Sequence, residues 1–250
     1  KRLMDQGHRP GRIVSQTLAA LQHLSRGEAS LQSTHDEGLL QARADLMGYI
    51  EMLQRQDHEA LRSQLLKTLT QDGLQRFVMD LVAPLTGMVG EAWARGDLAV
   101  HEEHLYTECV GSVLRKALMA IPKAASGAEP AVLLTTFPQE AHGLGLLMVE
   151  SLLTLQGCRC ISLGTQTPVR DIAQAATAHG ADVVALSFSV NMNPNQIVDG
   201  LMELKLLMPE HIEIWVGGQA PALRRRAMDH VIVIQDLASI QAAVSAWSKR

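Results

Sequence analysis

The chain is poor in aromatic residues and cysteine, has no long apolar run, and carries no strong excess of charge of either sign. Three Phe, three Trp and two Tyr in 250 residues leave the core to Leu, Ala, Val and Met, so an oddly placed Trp is informative. Three cysteines, Cys109, Cys158 and Cys160, are too few for a disulfide framework, and none forms a Cys-x-x-Cys pair. Cys158 and Cys160 lie two apart and on a strand would point the same way. Without a neighbouring histidine they make a poor metal site, and buried or reduced thiols are expected. No apolar stretch approaches the roughly 20 residues that cross a bilayer, and no signal-peptide pattern opens the chain. A soluble, cytoplasmic protein with no membrane partner is expected. A net charge of -4 argues against nucleic-acid binding by the chain as a whole.

What is present is an ordinary globular mixture, 47% hydrophobic and 19% charged, which excludes a disordered or collagen-like chain. The length suits two domains better than one. Charge is unevenly spread: residues 1–35 carry Lys1, Arg2, Arg9, Arg12 and Arg26 against only Asp5 and Glu28. The chain also begins inside a helix-like stretch, Arg2-Leu3-Met4-Asp5-Gln6-Gly7, so a fragment with its N-terminus upstream is expected.

Pro10-Gly11 precedes an amphipathic stretch with Ile13, Leu18, Leu21 and Leu24 near helical spacing, and the polar residues Ser25 to His35 read as a linker. From Asp36 to Ile121 the periodicity is helical throughout. Helices are expected at 37–55, 57–71, 74–95 and 99–121, parted by Gln56-Asp57, Gln71-Asp72-Gly73 and Gly96-Asp97. Short connections make neighbours antiparallel, hence a four-helix bundle, and Pro84 should kink the third helix. After the linker Pro122 to Pro130 the pattern changes. Short runs at Ala131–Thr135, Cys160–Leu163, Val183–Phe188, Ile212–Val216 and Val231–Ile234, apolar on both faces, alternate with helices near 143–156, 168–179, 194–208, 220–228 and 236–248. That alternation specifies a five-stranded, doubly wound parallel sheet. The expected domains are thus 1–35, 36–121 and 122–250, all-α followed by α/β. Ligands of such sheets bind at the carboxyl ends of strands, which points to the loops 137–145, 164–167 (opened by Gly164), 187–194 and 217–220.

The first of these loops contains Glu140-Ala141-His142-Gly143-Leu144-Gly145. A dinucleotide fingerprint fails here, because Met148 stands where a third small residue is needed. What remains is a histidine between a strand end and a helix start. It could hold a metal through one ring nitrogen while Glu140 accepts the proton of the other. His101-Glu102-Glu103-His104 is a weak zinc motif, its histidines three rather than four apart. Arg224-Arg225-Arg226 reads as a solvated face or an oligomer contact before a DNA contact.

Glu140-x-His142-x-x-Gly145, Ser187-Phe188-Ser189 and Gly217-Gly218, after the expected first, third and fourth strands, resemble the Asp-x-His-x-x-Gly, Ser-x-Leu and Gly-Gly pattern of cobalamin-binding domains. The resemblance implies a flavodoxin-like (Rossmann-type) sheet, cobalt ligated by His142, and small residues that admit the cofactor's nucleotide tail. Two positions depart from the pattern. Glu140 replaces Asp, so its bond to His142 is expected to be longer or water-mediated, and Ser189 replaces Leu.

Trp93, followed after nine residues by Glu103-His104 with Val100 between, resembles CarH/LitR-type regulators, light-sensing MerR-family proteins that bind adenosylcobalamin beneath a four-helix cap. That likeness implies that Trp93 and Val100 flank the adenosyl group, that Glu103 takes its ribose, and that His104 borders the same pocket. A large apolar ring can shield a photolabile bond, and a carboxylate suits hydroxyl donors. Some members carry a histidine directly after the Trp; here that position is Ala94. Leu3 to Ile13 resembles the end of a MerR-type winged helix-turn-helix domain. The implied function is a repressor, not an enzyme, whose homo-oligomer (dimer or tetramer) binds operator DNA in the dark and separates in light. The alternatives are a corrinoid carrier for methyl transfer and a cofactor-free regulator of the same fold.

Overall fold

The computed structural model describes residues 44–122, 127, 129–225 and 231–249. The expected helices before residue 44, the linker 25–35, the MerR-like opening and the end of the expected helix 220–228 lie outside the described residues, as do the side chains of the Arg224–Arg226 run. The described residues divide at position 52 into two units.

Helical periodicity yields helices where expected. Residues 44–54 are helical. They are followed by α1 (His58–Arg76), a single wide turn with π-type bonding (Phe77–Val82), α2 (Ala83–Arg95) and α3 (Val100–Ala120). Asp57 starts α1 by accepting the Ala60 N–H at 3.0 Å, a conventional N-cap. Gly73 breaks the same helix with φ 77 and ψ 165, the left-handed side that suits glycine. The expected kink at Pro84 takes the form of the wide turn before it. Pro84 has no N–H to give the preceding turn and its ring crowds that turn's carbonyl, so the helix widens and Ala83 bonds to Val78 instead. Gly96, at φ 80, closes α2 and reverses the chain within three residues into α3. There Glu102 accepts the Ala99 N–H at 2.6 Å.

The second half is β1 (Ala131–Thr135), α4 (Leu144–Leu155), β2 (Arg159–Gly164), α5 (Val169–Ala178), β3 (Val183–Phe188), α6 (Pro194–Leu207), β4 (Glu213–Gly218), the short α7 (Ala222–Arg225), β5 (Val231–Val233) and α8 (Ser239–Trp247). All neighbouring strands are parallel, in the order β2-β1-β3-β4-β5. The architecture is therefore the expected α/β sheet preceded by an all-α region. One expectation fails. β2 is not apolar on both faces; Ser162 and Gly164 are exposed, because β2 is an edge strand. β1, flanked on both sides, is buried along its whole length.

Under the sheet, Leu133, Val184, Leu186, Phe188 and Ile214 meet Ile172 of α5 and Ile197, Leu201 and Leu204 of α6. Phe137 and Phe188 cross edge to face, centroids 5.2 Å apart, a pairing worth about 0.5–1.5 kcal/mol beyond burial. Gly200 makes room for the Phe137 ring, since a Cβ there would come within 2.5 Å of it. On the other side α4 packs against α1 and α3. A Cβ on Gly111 of α3 would stand 3.8 Å from Leu147 of α4, so the two helices approach closely. That contact sets the helical region beside the start of α4, where the candidate histidine lies.

Candidate functional site

The carboxyl end of β1 is bound to its neighbours by threonines. The Thr135 hydroxyl donates to the Gly164 carbonyl at 3.0 Å and pairs with the Thr167 hydroxyl at 2.7 Å. The Thr136 hydroxyl donates to the Glu140 carbonyl at 2.6 Å and accepts the Gln166 N–H at 2.8 Å. Gln139 (φ 72) and Gln166 (φ 62) are held in left-handed conformations, which non-glycine residues adopt at a cost. The loops after β1 and β2 are thus fixed as one piece.

Glu140 is the centre of this piece, 1% exposed. Its Oε1 accepts from His142 Nδ1–H at 2.6 Å and from the His142 backbone N–H at 3.1 Å. Its Oε2 accepts the Ser189 N–H at 2.7 Å, across from the end of β3. The expectation of a long or water-mediated bond to His142 is therefore wrong. The longer side chain folds back far enough to use one oxygen on each neighbour. Burial alone would raise the Glu140 pKa, but the hydrogen bonds from His142 and Ser189 prevail and hold it at about 2. The Ser189 hydroxyl lies near enough to the carboxylate to help lower it, though it makes no well-formed hydrogen bond.

His142 is the exposed member of the pair, its side chain 61% accessible. The Glu140 hydrogen bond raises its pKa, burial opposes this, and the charges of Glu140 and Glu103 add to the rise. Because Nδ1 is committed to Glu140, Nε2 is the nitrogen left for a metal. Gly143 caps α4. Gly145 in the first turn lies against Ser187, where a Cβ would stand 2.9 Å from the hydroxyl. Gly217 and Gly218 pair with Ser187 and Phe188 across β3 and β4. Gly218 has φ 109, and a Cβ there would strike the Phe188 carbonyl. Gly164, φ 79, ends β2 facing open space. The strand-end residues named from the sequence are therefore neighbours.

The helical candidates gather at the α2–α3 corner. Trp93 is 44% exposed and Val100 is 55% exposed, large apolar side chains without cover in a chain poor in aromatics. Glu103, one turn into α3, accepts from the Thr107 hydroxyl at 2.8 Å and pairs with His104 Nδ1 at 2.7 Å. The Glu103 charge adds, as the smallest of the causes, to the raised pKa of His142. His101 sits apart, 3.5 Å from Gln56. Among the described residues no cluster of His, Cys, Asp and Glu could hold a metal ion by itself, so the weak zinc motif has no support. Cys158 and Cys160 are free, with burial pushing their thiols up to about 11 and about 12, as inert thiols require. Among the described residues no helix is long and apolar enough to cross a membrane.

Sequence reasoning missed the Thr135, Thr136, Thr167 and Gln166 network and the backbone donor of Ser189. Threonines at strand ends are too common to be a signal, and a left-handed glutamine leaves none.

Comparison with known proteins adds three findings. Residues 130–242 match the family model described as B12 binding domain, and residues 47–117 match a second model of the same description. The chain is 34% identical over 159 residues, 64% of its length, to the HTH-type transcriptional repressor CarH of Myxococcus xanthus. It spans about half (50%) of the length of that curated relative. The monomethylamine corrinoid protein of Methanosarcina barkeri shares the fold at a TM-score of 0.63 and 12% identity, over 80% of this chain and 96% of that one.

Proposed function

We propose, on the premise that this chain carries two B12 binding domains and belongs to the CarH-type cobalamin-binding proteins, that it is the sensory part of a light-dependent repressor using adenosylcobalamin. When bound, this cofactor supplies a cobalt–carbon bond that light breaks. His142 would hold the metal through Nε2, while Glu140, bonded to Nδ1, fixes the ring's tautomer and orientation and raises its basicity. Trp93 and Val100 would lie against the adenosyl group, and Glu103, bordered by His104, would take its hydroxyl donors. The residues present fit such a ligand. The Ser189 hydroxyl is buried without a partner, Trp93 and Val100 lack cover, and Gly164 opens onto free space.

The observation that carries this reading is the 2.6 Å bond between Glu140 Oε1 and His142 Nδ1, which leaves Nε2 of a largely exposed ring for a metal at the strand ends. Were that group lost, the corner carrying Trp93 and Glu103 would be freed, and the assembly of further copies of the chain would shift with it. Operator DNA is the partner of the whole cytoplasmic protein in this reading, and no catalysed reaction is involved. A carrier for methyl transfer is the competing reading. Calorimetric titration separates them: the regulator binds adenosylcobalamin more tightly than methylcobalamin, and Glu103→Ala removes the preference. Equal affinities in the wild type would overturn the regulator and favour the carrier.

A further inference from the structure

The two glutamates in the first turn of α3 are put to different uses. Glu102 serves the helix itself, its carboxylate accepting the Ala99 N–H at 2.6 Å, the ordinary service of an acidic side chain to an open helix start. Glu103 is left for another task. Its Oε1 accepts the Thr107 hydroxyl at 2.8 Å, and its Oε2 pairs with His104 Nδ1 at 2.7 Å. Bonds to both oxygens fix the plane of the carboxylate, and each oxygen keeps an acceptor site open.

The two bonds are not equal. The His104 side chain is 71% exposed, and an ion pair so open to water contributes little. The Thr107 bond is part-buried, one turn further along α3, and its acceptor is the informative feature. A threonine inside a helix commonly returns its hydroxyl to the backbone carbonyl four residues back. Thr68 and Thr70 of α1, Thr86 of α2 and Thr177 of α5 all do so, to the carbonyls of Gln64, Leu66, Val82 and Ala173. Thr107 instead gives its proton to the side chain of the residue at that same spacing. A hydroxyl has one proton to donate, and here it anchors a carboxylate rather than the helix.

We propose that Thr107 is a positioning residue, which holds the Glu103 carboxylate in place for the hydroxyls of an upper corrinoid ligand and so sets the preference for adenosylcobalamin over methylcobalamin. The inference rests on the reading of Glu103 as the acceptor of adenosyl hydroxyls. Without the Thr107 hydroxyl the flexible Glu103 side chain has to be ordered by the ligand at the moment of binding, and that ordering is subtracted from the affinity. A methyl ligand carries no hydroxyl, so methylcobalamin binding does not register the change.

The test is calorimetric titration of the chain and its Thr107→Val and Thr107→Ser variants with adenosylcobalamin and with methylcobalamin. Thr107→Val, which keeps the shape and loses the hydroxyl, should bind adenosylcobalamin roughly 3- to 10-fold more weakly while methylcobalamin binding is unchanged. Thr107→Ser, which keeps the hydroxyl, should retain most of the wild-type affinity. In a Glu103→Ala background, Thr107→Val should bring no further loss, as two residues acting through one contact require. An unchanged affinity of Thr107→Val for adenosylcobalamin would overturn the proposal and leave the reading of Glu103 standing. So would an equal loss with both corrinoids, which would mark a change in the helix rather than in the carboxylate. If the wild type showed no preference for adenosylcobalamin, the reading of Glu103 would fall first, and this proposal with it.

Discussion

Replacing Glu140 by Gln removes one negative charge from the site with almost no change of volume. In the wild type the carboxylate is 1% exposed and takes three hydrogen bonds, two from His142 and one from Ser189. These overcome burial and bring its pKa from 4.5 to about 2, a difference worth about 3 kcal/mol. Part of that gain is shared with the His142 proton, so the variant should lose about 2 kcal/mol. A depressed carboxylate stabilises fully above its unfolded pKa and loses that contribution as pH falls toward about 2. His142 shifts the other way, raised first by the Glu140 hydrogen bond. Its contribution is complete below its unfolded value, near 6.5, and fades as pH rises through the folded value. The wild type should therefore exceed Glu140→Gln by most between pH 4.5 and 6.5, with a smaller margin on either side. Urea unfolding of both proteins without cofactor, at acid, intermediate and alkaline pH, measures this directly. A margin that is constant with pH, or that keeps growing as pH falls below 4.5, would refute the pairing of Glu140 with His142.

Other expectations follow from the same geometry. His142→Ala should leave urea stability within about 1–2 kcal/mol of wild type, since the ring is largely exposed, yet weaken cobalamin binding and shift the cobalt absorption bands. An unchanged spectrum would remove His142 from the metal. Gly218→Ala should destabilise the sheet by at least 2–3 kcal/mol, roughly the combined cost of a left-handed alanine and a blocked Phe188 carbonyl, read as an earlier urea midpoint. With Ala94 directly after Trp93, that position would offer cobalt no second histidine after illumination, and no bis-histidine photoproduct is expected. A stable bis-histidine photoproduct lost in His104→Ala would contradict that.

The fold was legible where the chemistry is local. Strands β1 and β3 begin and end at the residues their apolar runs predict, and Gly73, Pro84 and Gly96 each mark a real break because their backbone limits do not depend on surroundings. The half-exposed β2 was misread because the sequence does not say which strand lies at an edge. In the site, Glu140, His142, Gly145, Ser187 and the glycine pair could be brought together because the parallel topology places all their loops at one end. The direct Glu140–His142 bond could not be read, since the fold-back of a glutamate depends on Ser189, 49 positions away.

The most direct test of the account is the absorption spectrum of the purified chain mixed with adenosylcobalamin, recorded with its elution volume in the dark and again after green light. The account predicts a dark complex whose bands change when His142 is replaced by Ala, and a photoproduct that elutes at a different size. No binding, or a bound cofactor whose spectrum and elution volume are the same before and after light, would contradict it.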